Sequence, residues 1–527
     1  MTMNRRGFLK TVSGSMVGGI ALGTGSALAA PPKKWDATYD VVVIGFGGAG
    51  ANAAITANDA GSKVLLVEKL AEPGGNTSVS SGNFLLCKDP AKVRAYFRRL
   101  FELSRCELDE VLLKVYSEKM LETVDWIHQL EPNANVRVVH RSSFPHIEDS
   151  DSMYACTVMG EKGSGGGPNL FGLYRRAVEA RKIDVWLSSP AKALIVENGT
   201  ILGAVIEKNG KKLNVCARQG VVLTCGGYEY DEESKRNFNL GDPILTLGCP
   251  GNTGDGFRMA LAAGAGIWHT SGLSCPLGTR VPGHTADQAF NTAQTGYILV
   301  DQHGKRFINE KHIEHHAGIL AVNYFDSYEM KYTRIPCYAI FDANSKAAGA
   351  FAPSYGSGWL RHREKWTWSR SNDKEIELGI VKVGQTVEDL AEKIGVDPKN
   401  LRTTIDLWNK DIGGPSKTDS LFGRTAEGHV GQVWPHGANK KQSSPLDKPP
   451  YYAIELYPAI LNTQGGPRHN SKGQVLTPYG QAVPRLYVAG ELGSFWGFIY
   501  QGCGNNAEAL IFGRLAGENV AKEKKWC

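Results

Sequence analysis

Three stretches of the chain combine residue types and spacings that can do chemistry. The first is Gly45-Phe46-Gly47-Gly48-Ala49-Gly50, a G-x-G-x-x-G between an apolar run (39–44) and the small-residue segment ANAAITANDAG, closed by Gly61. A second apolar run (63–67) follows and ends on Glu68, 18 residues beyond Gly50. Gly45 permits a tight turn, Gly47 lets backbone amides approach a pyrophosphate, and Gly50 lets a helix pack on its strand. The helix then points its positive dipole end at the phosphates, and Glu68 stands where a ribose hydroxyl would be bound. Strand, glycines, helix, strand and acid in register read as a dinucleotide site. The second stretch is His312-Ile313-Glu314-His315-His316, three histidines and a carboxylate within five residues, a set able to relay protons. On a helix, His312 would share a face with His315 or His316. The third is Gly502-Cys503-Gly504-Asn505-Asn506-Ala507, which opens a helix whose N-terminus would stabilise negative charge on a ligand.

The elements that must hold these groups follow from pattern and punctuation. Residues 88–130 read as charged amphipathic helices, and the loop 163–168 (GSGGGP) leads into the helix LFGLYRRAVEA. Strands are expected at 185–187, 193–196, 202–207, 212–217 and 220–223, ending at Thr224-Cys225-Gly226-Gly227. Gly251-Asn252-Thr253-Gly254-Asp255-Gly256 opens another helix. From about residue 269 the composition shifts toward tryptophan and charge. Near the end, Leu486-Tyr487-Val488-Ala489-Gly490-Glu491 reads as a last strand with an acid behind it.

Together, the glycine motif with Glu68-Lys69, Gly74-Gly75-Asn76-Thr77 and Ser81-Gly82, the turns at Thr224-Cys225-Gly226 and Asp255, and the ending at Gly490-Glu491 resemble the fumarate reductase/succinate dehydrogenase flavoprotein superfamily. That superfamily includes fumarate, urocanate and acrylate reductases and 3-ketosteroid dehydrogenases. The resemblance covers about 39–520. It implies an α/β fold, a Rossmann-like FAD-binding domain with an inserted α+β cap domain over the flavin. The expected divisions are 31–268 and 458–527 for the FAD domain and 269–457 for the cap, which VDQHGKRFINE, TVEDLAEKIGVDPKNL and PYYAIEL resemble. The implied cofactor-binding set is Gly45, Gly47, Gly48, Ala49, Gly50, Glu68, Lys69, Gly74, Gly75, Asn76, Thr77, Ser81, Gly82, Ala191, Thr224, Cys225, Gly226, Asp255, Gly490, Glu491, Gly504, Asn506 and Ala507. Members with covalent FAD carry a histidine just after the double glycine. Here Asn76 follows, so FAD is expected to be held non-covalently.

Three columns depart from the fumarate reductase pattern. The histidine before T-x-G-G falls on Asn462, the clamping arginine falls on Gln501 or Tyr500, and the acid-donating arginine falls on or beside Glu314. A dicarboxylate is therefore disfavoured. Tyr500 and Gly504 instead match the spacing of a tyrosine and glycine that bind a ketone oxygen in ketosteroid dehydrogenases, a neutral donor pair suited to an enone. The expected catalytic set is Tyr500, Gly504, Glu314 and His315. No metal is expected. The leading reading is a reductase of an activated C=C bond (an enone or an aryl acrylate). The others are a ketosteroid-type desaturase and a non-catalytic flavin electron shuttle.

The chain has 527 residues and a net charge of +6, too small and scattered an excess for nucleic acid. Its ten cysteines contain no C-x-x-C, which argues against c-type haem and ferredoxin-style clusters and reads as buried free thiols. Arg5-Arg6-Gly7-Phe8-Leu9-Lys10, a mild apolar stretch and Ala27-Leu28-Ala29 read as a twin-arginine export signal (1–29) cleaved after Ala29. Beyond it no apolar run approaches ~18 residues. The expected setting is the periplasm, with a separate donor such as a cytochrome c or a quinol-linked protein.

Overall fold

A computed structural model describes residues 27–140, 142–161, 163–292, 296–353, 357–427 and 443–527. The expected export signal lies, except for residues 27–29, outside the described residues. Leu28–Ala29 forms a two-residue strand pairing in parallel with Ala191–Glu197.

The glycine motif sits at the centre of a nine-stranded sheet. Strand Ala37–Ile44 is flanked in parallel by Val64–Val67 and by Lys211–Leu223, and Ala482–Val488 pairs in parallel with the far half of Lys211–Leu223. Val41, Val42 and Val43 are fully buried, as befits β-branched residues in a sheet covered on both faces. The four parallel strands end at one edge, and the residues that follow them are Gly45, Glu68, Thr224 and Ala489. Backbone bonds lace that edge: Gly45 N–H to the Val67 carbonyl (2.8 Å), Thr224 N–H to Ile44 (2.8 Å) and Ala489 N–H to Leu223 (3.1 Å). Strand ends that converge in this way open a crevice for a ligand. The strands expected at 212–217 and 220–223 are one strand, Lys211–Leu223, with an irregularity between Ala217 and Gly220.

Two helices start at the same edge. Gly48–Asp59 follows the glycine motif, and Gly504–Ala521 packs against it. The contact needs glycine: a Cβ on Gly517 would stand 2.3 Å from the Ala53 carbonyl oxygen.

A second, seven-stranded sheet is built around Tyr451–Ile460, with Cys337–Phe341, Leu277–Thr279 and Val381–Gly384 antiparallel to it. It also takes Leu245–Thr246, which precedes the compositional shift at 269. Helices Val387–Ile394 and Pro398–Gly413 cover it, capped by Thr386 and Asp397 as the sequence TVEDLAEKIGVDP suggests. The R-F-x-N-E motif is structural here. Glu310 is fully buried and accepts from Arg306 (2.8 Å) and Arg424 (2.9 Å), while Arg306 also pairs with Asp419 at 2.6 Å. Burial works against the Glu310 charge, yet Arg424 and Arg306 hold its carboxyl below the usual range. Removing one member strands buried charge. Glu310→Ala is therefore expected to lower unfolding stability by ~3–5 kcal/mol in denaturant titration; a loss under ~1 kcal/mol would show that the cluster contributes little.

Candidate functional site

One cavity of about 1420 Å³ runs along the strand-end edge. Its first end is the glycine turn. A Cβ on Gly50 would lie 1.9 Å from the Gly45 carbonyl oxygen, so only glycine lets the helix start this close to the strand. Gly45, Gly47, Gly48 and Ala49 line the cavity wall, and the Gly48 N–H donates to Thr77 Oγ1 at 3.2 Å. Glu68 also lines it, with one carboxylate oxygen accepting from Phe46 N–H (3.0 Å) and the other from Leu70 N–H (2.9 Å). Each oxygen keeps a second lone pair for a hydroxyl. Burial pushes the Glu68 carboxyl up. Lys69 forms an ion pair with Asp255 at 2.7 Å, and both face the cavity.

Midway along, two acids share amide donors. Asn76 Nδ2 donates to Glu229 (2.7 Å) and to Glu491 (2.8 Å), and Asn252 Nδ2 donates to Glu229 at 2.9 Å. Thr463 N–H donates to Glu491 at 2.9 Å. Burial pushes the Glu229 carboxyl up to about 7, and burial together with the neighbouring Glu229 pushes the Glu491 carboxyl well above its usual range. Two carboxyls this close cannot both be charged at neutral pH.

The far end is made by Tyr500, His316, Asn462 and the start of helix Gly504–Ala521. The Tyr500 hydroxyl accepts from the Asn505 N–H at 3.1 Å, so the phenol sits on the positive end of that helix. Burial holds the phenol well above its usual range, hence protonated and a donor. The His316 ring meets the Tyr500 ring edge-on, with centroids 5.2 Å apart. Glu314 grips His316 twice, at the ring Nδ1 (3.0 Å) and at the backbone N–H (2.6 Å). The histidine run is no regular helix: two short turns, Glu310–His312 and His315–Ala317, flank an extended Ile313-Glu314. His316 therefore reaches the cavity, and His315 stacks edge-on against it without lining the cavity.

The remaining expected residues divide by position. Gly75, Asn76, Thr77, Ser81, Ala191, Thr224, Cys225, Gly226 and Asn506 line the cavity. Gly74, Gly82, Gly490, Gly504 and Ala507 do not. The Gly504 N–H is bonded to the Gln501 carbonyl, and a Cβ there would enter the Trp496 ring at 2.5 Å, so this glycine serves packing. Gln501 turns into the core, where it accepts from Tyr96 at 2.7 Å. Sequence reasoning missed Glu229, Asn252 and Asn505. Asn505 gathers Asn462, Gln464 and the buried Glu508 beneath the cavity floor.

A smaller cavity of about 590 Å³ adjoins, sharing His316 and Tyr500 with the first. Phe238, Leu240, Leu273, Leu320 and Phe498 give it apolar walls, and among the described residues no Lys, Arg, Asp or Glu lines it.

The FAD binding domain family model matches residues 40–507. The chain belongs to this family. FAD is its cofactor, and the chain is an FAD-dependent oxidoreductase. It is 27% identical to a probable fumarate reductase of Shewanella frigidimarina over 94% of this chain and 76% of that one. It is 24% identical to a 3-oxosteroid 1-dehydrogenase of Mycobacterium tuberculosis over 92% of this chain and 98% of that one. In fold it is similar to 3-ketosteroid delta1-dehydrogenase from Sterolibacterium denitrificans (TM-score 0.75, 23% identity, 92% and 99% of the two chains). It is also similar to a flavocytochrome c3 fumarate reductase in its open conformation (TM-score 0.67, 23% identity, 99% and 81%). The strand-end glycines, Glu68 and a cavity running to a second helix N-terminus fit this elongated cofactor.

Two measurements check this geometry. His316 is the one histidine among the described residues lining the cavity, and it stands at the far end from the glycine turn. Denaturation is therefore expected to release all the flavin into an ultrafiltrate; flavin retained on the chain would indicate a covalent link. Separately, burial pushes the Glu508 carboxyl from 4.5 up to about 8. The folded state thus holds that proton more tightly than the unfolded chain. Its stabilising effect is complete below about pH 4.5 and is lost as pH rises toward 8. Glu508→Gln should flatten this fall in thermal stability, and an unchanged slope would place its origin elsewhere.

Proposed function

We propose that the chain reduces a carbon–carbon double bond conjugated to a neutral carbonyl, an enone or a comparable aryl-conjugated acrylate ester, and that the second sheet serves as a cap over the flavin. The observation that carries this reading is the charge of the far end. Tyr500, His316 and Asn462 meet there beside an apolar annex; among the described residues no arginine lines either cavity, and the one lysine that does, Lys69, is paired with Asp255. A dicarboxylate would lose its hydration shell there without gaining a cation, which is costly. A neutral carbonyl needs only a donor.

Bound FAD supplies the hydride chemistry at a carbon of the double bond. The residues named for the cofactor hold it along the strand ends. The negative charge that develops on the substrate carbonyl is met by the Tyr500 hydroxyl, itself polarised by the Asn505 N–H. His316 delivers the proton to the neighbouring carbon, and Glu314 orients the imidazole. The apolar walls of the annex exclude water from this transfer and receive the rest of the substrate. The reverse reaction, desaturation of a cyclic ketone, uses the same groups; the Tyr500 donor and the likeness to a ketosteroid dehydrogenase fold favour it as the second reading. Residues 5–29 support export, where a separate cytochrome or quinol-linked donor would feed the flavin.

Single variants separate the roles, with turnover of a cyclic enone driven by a reduced viologen dye. His316→Gln is expected to keep FAD and lower kcat by ~100-fold or more. Glu314→Gln should lower kcat at nearly unchanged KM, with an unaltered flavin spectrum. Tyr500→Phe should raise KM and lower kcat/KM by ~10–100-fold. Full activity in both His316→Gln and Tyr500→Phe would overturn the assignment.

A further inference from the structure

The residues that follow helix Gly504–Ala521 take no part in the flavin site, yet they are fastened to the central sheet one residue after another. The Gln219 side-chain amide donates to the Ala521 carbonyl (2.5 Å) and the Glu523 carbonyl (3.0 Å). Arg485 donates to the Lys524 carbonyl at 2.8 Å. Lys525 pairs with the buried Asp40 at 3.1 Å, beside Arg218, which pairs with the same carboxylate at 2.5 Å. The Trp526 N–H reaches the Arg218 carbonyl (3.2 Å), and its indole N–H reaches the Ala217 carbonyl (2.9 Å). The Trp526 ring also packs edge-on against Trp35, with centroids 6.1 Å apart. The partners descend Gln219, Arg218, Ala217 as the tail advances. The next pair in that series is Cys216 and Cys527, whose sulfurs lie 3.8 Å apart.

We propose that Cys216 and Cys527 form a disulfide that fastens this tail to strand Lys211–Leu223. The contacts on both sides hold the two sulfurs in register, so most of the ordering that ring closure demands is already present in the dithiol form. Cys527 is exposed and Cys216 is buried, which sets the order of events. An external disulfide, a glutathione disulfide or a thioredoxin-like protein disulfide, is attacked by the Cys527 thiolate, and one external thiol departs. The Cys216 sulfur then attacks Cys527, and the second external thiol leaves. The two cysteines lose two protons and two electrons, and the oxidant's S–S bond becomes two thiols. Burial pushes the Cys216 thiol up to about 12, which leaves the exposed Cys527 as the first nucleophile. The fastened strand is the one that runs into Thr224-Cys225-Gly226 at the cofactor cavity, so the bond would hold the wall of the FAD site against thermal opening.

The test uses the flavin-loaded chain incubated with oxidised glutathione, then alkylated and digested without reductant. The expected result is a linked pair of peptides containing Cys216 and Cys527, two fewer free thiols per chain, and an apparent Tm raised by ~2–5 °C that dithiothreitol reverses. Cys527→Ser, altered at an exposed position that leaves the core intact, should show neither link nor shift. Alkylation of both cysteines after oxidation, or glutathione retained on Cys527 with Cys216 still reduced, would overturn the bond. A link without any change in Tm would overturn its fastening role.

Discussion

The architecture depends on one close approach. Helices Gly48–Asp59 and Gly504–Ala521 touch backbone to backbone, because Gly513 and Gly517 meet Ala49 and Ala53 where any side chain would collide. Their first turns consequently open side by side on the edge where the four parallel strands end. Each helix turns its positive dipole end there. One faces the glycine turn, as a pyrophosphate requires. The other lies under Tyr500, where negative charge on a reacting carbonyl would build up in the proposed reaction. A single packing constraint thus positions both the cofactor end and the substrate end of one cavity.

The electrostatics of the cavity are consistent with that arrangement. The acids in and beneath it, Glu68, Glu229, Glu491 and Glu508, are met by amides, hydroxyls and backbone N–H groups, and burial pushes each of their carboxyls upward. The cationic clusters lie elsewhere. Arg306 and Arg424 neutralise Glu310 and Asp419 inside the second sheet's core. The proposed preference for a neutral carbonyl follows from this distribution, since among the described residues no arginine lines the cavity and its one lysine, Lys69, is paired with Asp255.

How much was legible in the sequence depended on the length scale of the signal. The glycine turn, Glu68 and the parallel strands around them are local patterns, and all stand where the spacing placed them. Asn76, Thr224, Cys225, Asp255 and Glu491 lie on the cavity wall as well, because turns that follow parallel strands share one edge. Side-chain direction was harder to read. Gly504 has the spacing of a carbonyl-binding amide, but its N–H closes a turn with Gln501 and its missing Cβ makes room for Trp496. The histidine run suggested a helical face, whereas Glu314 folds back on His316 and breaks the run into two turns, so that His316 rather than His315 faces the cavity. Glu229 carried no local signal, and Asn252 stood in the turn 251–256 without any mark of its partners. Their pairing with Glu491 joins segments more than 200 residues apart and emerges only when the sheet closes.

In the proposed reaction, reduced flavin in this chain delivers a hydride to a neutral conjugated carbonyl compound. The most direct measurement is anaerobic re-oxidation of the chemically reduced protein, followed by flavin absorbance, with cyclic enones, steroid enones, cinnamate esters, urocanate and fumarate offered in turn. Rapid re-oxidation by an enone or an aryl acrylate ester is expected, and none by fumarate. Rapid re-oxidation by fumarate, with no response to any neutral acceptor, would contradict the proposed reaction.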